Sequence, residues 1–155
     1  MEYFLLKSAH LIGVIFLLGN VSVTFMWKLF ADDTEQPVVI AFSQRMVLWN
    51  DWAFTVIGVV LIIVSGYGMA WSAGLDLVSQ GWLFWSQVWF YGAGLIWLFV
   101  LVPIQVVQAR QARRFSAHGV IPESYRRLSW HWNVWGVLAT LLLLIPLYLM
   151  IAKTA

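Results

Sequence analysis

The chain contains no cysteine, which excludes a disulfide framework, a thiolate metal site and a cysteine nucleophile. Charge is nearly as scarce: Asp, Glu, Lys and Arg make up 10% of residues, against roughly 25% in an ordinary soluble domain. Too few polar side chains are present to cover a globule in water, so a water-soluble fold is excluded. Catalytic signatures are missing as well. There is no nucleophile elbow, phosphate loop, paired-carboxylate set or His-x-x-x-His, and soluble-type hydrolase or kinase chemistry has no support. A formal net charge of +2 and the absence of a nucleic-acid motif argue against RNA or DNA partners.

What is present is apolar length. Hydrophobic residues make up 62% of the 155 positions, and mean hydropathy is +0.82. Four runs carry no Asp, Glu, Lys or Arg: 8–27, 52–75, 77–109 and 128–152. Each reaches the roughly 20 residues that cross a hydrocarbon core about 30 Å thick. Only helices or closed barrels satisfy the backbone in lipid, and these runs lack the alternation of barrel strands. The expectation is an all-α, integral membrane four-helix bundle forming a single domain over 1–155, with spans near 4–28, 52–74, 82–108 and 130–152.

The basic residues set the expected orientation. Lys28 and Arg45 lie between spans 1 and 2, and Arg110, Arg113, Arg114, Arg126 and Arg127 between spans 3 and 4. Seven of nine positive charges thus share one side, which places both termini outside a bacterial inner membrane. Tryptophans agree with that frame. Trp27, Trp49, Trp52, Trp130, Trp132 and Trp135 fall at the inner boundary, and Tyr3, Trp71, Trp82 and Trp85 at the outer one. Glu2, Lys7 and His10 interrupt the opening stretch, so it reads as a retained span rather than a signal peptide. Pro37 is placed to open a helix with Val38, Val39, Phe42, Met46 and Trp49 on one face. That helix either lies along the membrane surface as an amphipathic interfacial element or packs into the bundle. The Arg-rich second loop suits contact with anionic membrane lipids.

Each span carries a small and polar stripe at helical spacing. His10, Gly13, Leu17, Asn20 and Thr24 align in span 1, and Thr55, Gly58, Ile62, Ser65, Met69 and Ser72 in span 2. Gln87, Tyr91, Gly94, Leu98, Leu101 and Gln105 align in span 3; Asn133, Gly136, Thr140, Leu143 and Leu147 align in span 4. Such stripes face one another, because small residues allow close approach and polar ones prefer partners to acyl chains.

His10 is the ionisable residue deepest in a span, and an imidazole there can ligate haem iron or copper, or relay a proton. Met69, Gln87, Tyr91 and Met150 lie at matching depth; His118 and His131 lie on the other side. His10, Met69, Gln87 and Tyr91 are therefore the candidate cofactor-binding set, with His10 the candidate metal ligand. Asp51, at the mouth of span 2, is placed to cap that helix or to accept from Arg45.

The segments 3–13, 50–52 with Ser65-Gly66, and 132–136 with 149–153 resemble a bacterial family of predicted integral membrane proteins of unknown function. More remotely, Leu6-Lys7-Ser8-Ala9-His10 is similar to the first helix of HemJ-type protoporphyrinogen oxidases and to CopD-like membrane proteins linked with copper. The HemJ likeness implies haem b at His10. The lysine of that type near the start of the third helix has no counterpart here, and its Arg-x-x-Asn-Glu pattern is missing at Asn133-Val134. Two main functions follow as expectations. One is a small haem- or redox-associated accessory or electron-transfer protein using His10. The other is a cofactor-free structural or assembly subunit, homo-oligomeric or within a larger membrane complex. A porphyrinogen oxidase is a third.

Overall fold

The computed structural model describes residues 1–153; Thr154 and Ala155, the last two residues of the expected domain, lie outside it. Its described residues are entirely helix and loop. Helix α1 is Glu2–Asp33. Helix α2, Pro37–Asn50, runs through a π-helical turn, Asp51–Val56, into α3, Ile57–Ser72. Helix α4, Gly81–Ile96, runs through a second π-helical turn, Trp97–Leu101, into α5, Val102–His118. Helix α6 is Glu123–Ala152. Four continuous helices long and apolar enough to span a membrane result, of 32, 36, 38 and 30 residues.

Local chemistry explains the boundaries. Gly119 takes the left-handed conformation (φ 75°) after α5, and its N–H donates to Phe115 O at 2.8 Å. Pro37 sits in the first turn of α2, where its missing N–H costs nothing. Pro103 lies just past the second π-helical turn. A wider turn there relieves the clash that a proline ring makes with the preceding turn of an unbroken helix.

At 1.5 Å per residue these helices are about 45–57 Å long, well beyond a hydrocarbon core of about 30 Å. Charged residues gather at the end carrying the 34–36 and 119–122 connections, where Arg126 meets Glu35 at 3.0 Å. Here α2 packs on α5 and α1, and α5 on α6. The helix beginning at Pro37 is thus the bundle-packing kind, an extension of span 2, and not a separate interfacial element. Two apolar clusters hold this end: Ile40, Ala112, Phe115 and Tyr125, then Val47, Leu101, Trp132 and Ala139.

Toward the termini the bundle divides. Helix α1 packs along α3 and α4 along α6, but no Cα of α3 comes within 8 Å of α4 or α6, nor any of α1 within 8 Å of α4. Stripe residues accordingly behave in two ways. A Cβ added to Gly13 would lie 2.9 Å from Gly58 O, and one on Gly58 2.9 Å from Gly13 O. On Gly94 and Gly136 an added Cβ meets nothing within 4 Å. The first pair lets two helices touch; the second pair borders a space. Leu98, expected on the inner stripe, is instead half exposed, because the π-helical turn Trp97–Leu101 adds backbone to one turn and rotates the register. Trp132, expected in the interfacial belt, is buried and stacked on Phe25 with ring centroids 6.0 Å apart.

Candidate functional site

Among the residues singled out by sequence, His10 is held on α3. Its Nδ1 lies 3.1 Å from Ser65 Oγ and 3.2 Å from Ile62 O. The other face of the contact is Gly66, where an added Cβ would sit 3.2 Å from His10 Cε1. This fastening joins α1 to α3 and presses the ring against helix backbone. Gln87 and Tyr91 meet elsewhere: Tyr67 OH donates to Gln87 Oε1 at 2.8 Å and lies 3.0 Å from Tyr91 OH. Met69 is half-buried on α3 and shares no hydrogen bond with either group. Nothing in the described residues brings three His, Asp or Glu side chains into a metal-binding cluster. Neither of two cavities in the bundle is lined by His10. With Nδ1 engaged by Ser65 and Ile62, Nε2 is the ring atom that would hold an iron or copper ion.

Asp51 does not cap a helix, since the backbone is helical on both sides of it. It is the buried centre of a polar knot. Asn20 Nδ2 donates to Asp51 Oδ1 at 3.2 Å and to Thr55 Oγ1 at 2.9 Å, and Thr55 Oγ1 donates to Asp51 Oδ1 at 3.0 Å. On the other oxygen, Trp97 Nε1 donates to Asp51 Oδ2 at 3.3 Å. Thr24 Oγ1 completes the set by donating to Asn20 Oδ1 at 3.0 Å. Three spans are tied together by one carboxylate. Arg45, offered by the sequence as its partner, lies over the Phe42 ring at 5.6 Å instead.

A second buried charge escaped the sequence reading, which used Lys28 only to orient the chain. Lys28 is 0% exposed. Its Nζ donates to Asp32 Oδ2 at 2.6 Å and to Ser129 Oγ at 2.5 Å, and lies 5.1 Å from the Trp132 ring centroid. Ser129 also bonds Asp32 Oδ2. The remaining oxygen, Asp32 Oδ1, accepts from Tyr125 OH at 2.7 Å, and Tyr125 OH accepts from Gln44 Nε2 at 2.8 Å. Burying an ammonium ion is costly unless it is paired and hydrogen-bonded, and Lys28 places two of its three N–H donors on acceptors, Asp32 and Ser129. The spacing Lys28–Asp32, four residues apart where a charge-free run ends, was the available signal.

Between the two helix pairs lies a cavity of about 130 Å³. Asp51, Thr55, Thr24 and Gln105 stand on its wall beside Phe25, Phe90, Trp97 and Trp132. Gly94, Gly136 and Ala139 give it room, and the exposed Tyr91 stands at its edge. This is a mostly apolar chamber with a buried carboxylate at one side, suited to holding an uncharged molecule drawn from the membrane.

No characterised protein and no solved structure matches the chain. A model of one family matches residues 4–154, nearly the full length. With four apolar helices and their polar residues turned against one another, the chain belongs to the predicted integral membrane protein family DUF2269.

Proposed function

We propose that the protein is a cofactor-free subunit that assembles with other membrane components, rather than an electron carrier built on His10. The observation carrying this reading is an apolar stripe on α2. Val38 is 69% exposed, Phe42 56% and Trp49 66%, and the length of the helices supports reading α2 as extending past the hydrocarbon. Apolar side chains of this size left bare at water level mark a contact surface. The internal chemistry supports the same reading, because His10, Asp51 and Lys28 all spend their hydrogen bonds on joining helices.

The test is extraction in native nanodiscs from cells supplied with haem. The wild type is expected to run heavier than a single chain, and Val38→Ser with Phe42→Ser to shift it to the single-chain size. The purified protein is expected to be colourless. A wild type that runs as a single chain overturns the proposal, as does stoichiometric haem that is lost in His10→Ala; the latter would restore the electron-carrier reading.

A further inference from the structure

The cavity between the helix pairs is not accounted for by a partner docked on α2. Its volume, about 130 Å³, is close to the roughly 150 Å³ that accommodates one benzene ring in an apolar protein interior. Five aromatic side chains line it: Phe25, Phe90, Tyr91, Trp97 and Trp132. Such a wall favours a flat ring through offset and edge contacts.

Two wall residues also carry polar atoms without a hydrogen-bond partner, Gln105 Oε1 and Trp132 Nε1, and both side chains are more than nine-tenths buried. The first wants a donor and the second an acceptor. A hydroxyl supplies both, whereas an ammonium ion offers nothing to the indole N–H and a carboxylate offers nothing to the amide oxygen. A carboxylate would also face Asp51 across the same chamber.

We propose that the cavity binds the ring of a lipid-soluble phenol. The phenolic O–H donates to Gln105 Oε1 and its oxygen accepts from Trp132 Nε1, while any tail leaves past Tyr91 toward the bilayer. Both polar atoms are covered in the unliganded protein, so the proposed binding requires the Gln105 amide and the Trp132 indole, which stacks on Phe25, to turn toward the hydroxyl as it enters. The site is a binding site; no bond of the ligand is made or broken.

Fluorine NMR of 4-fluorophenol and 4-fluoroanisole, with the full chain in nanodiscs and empty nanodiscs as background, tests this. The phenol is expected to bind saturably, and the methyl ether, which cannot donate, about tenfold more weakly, as befits a buried acceptor left unmet. Gln105→Leu is expected to bring the phenol down to the level of the ether. Gly136→Leu, which places a side chain in open space, is expected to abolish binding of both. Equal binding of the two probes to the wild type overturns the proposal without recourse to any variant. So does a phenol signal no greater than that of empty nanodiscs, or full binding in a folded Gly136→Leu protein.

Discussion

Gly13 and Gly58 set the crossing of α1 and α3: each backbone carbonyl stands 2.9 Å from where the other residue would carry a Cβ. Close approach of this kind substitutes for the hydrophobic drive that is missing between helices in lipid. The same residue type does the opposite on the other side of the bundle, where Gly94 and Gly136 leave space unfilled.

Gly58→Ala should therefore destabilise the protein by about 1–3 kcal/mol, since a backbone oxygen cannot yield as a flexible side chain can. Gly136→Ala should be neutral, or stabilising by up to about 1 kcal/mol through helix propensity. Unfolding of both variants in mixed detergent measures the contrast. Equal losses would show that glycine at position 136 is also a contact.

Lys28 and Asp32 form a pair whose loss is asymmetric. Removing either alone leaves an uncompensated charge inside the protein, a loss of about 3–5 kcal/mol. Lys28→Met and Asp32→Asn should each fall in that range, and the double variant should be milder than the sum of the two. A double-mutant cycle by chemical unfolding reads this directly. Additive losses would mean the two charges do not sense each other. The exposed pair Arg126–Glu35 should by contrast contribute at most about 1 kcal/mol.

The knot at Asp51 makes a separate prediction. Asp51→Ala strands donors on Asn20, Thr55 and Trp97, at about 1–3 kcal/mol for each donor that finds no other acceptor. Asp51→Asn keeps one acceptor oxygen in place and should recover part of the loss. Hydrogen exchange of the α1 and π-helical amides around Asn20 and Thr55 should rise in the alanine variant and much less in the asparagine one. Indistinguishable exchange in the two variants would show that the carboxylate is not what joins the three spans.

Much of this architecture was legible because lipid enforces a simple rule: charge-free length becomes a spanning helix, and sparse polar residues turn inward. The alignment of Gly13, Asn20, Thr55 and Gly58 followed from a 100° helical step. The same arithmetic failed at Leu98, because it assumes an unbroken α-helix and a π-helical turn intervenes at Trp97–Leu101. Asp51 was misplaced as a cap because the residue before span 2 was taken to be a helix boundary, whereas α2 continues through it. The Lys28 cluster was hidden for another reason. Its partners Tyr125 and Ser129 are about a hundred residues away in sequence, and only the packing of α6 beside α1 brings them to the ammonium group. The cavity was hidden too, because small residues signal close packing and open space with the same letters.

Orientation yields the last prediction, and the missing cysteines make it simple to test. Arg110, Arg113, Arg114, Arg126 and Arg127 cluster around the 119–122 connection, at the same end of the bundle as the 34–36 connection. The opposite end carries the 73–80 connection and only Lys7 and Lys153 among basic residues. Retention of positive charge on the cytoplasmic side then requires Ala117→Cys to react with a membrane-impermeant maleimide only in inverted vesicles. Ser79→Cys should react in intact spheroplasts. Both positions are exposed, so access through the protein is not limiting. Reversed labelling would place the Arg-rich end outside and, with it, the apolar stripe of α2 through which assembly is proposed.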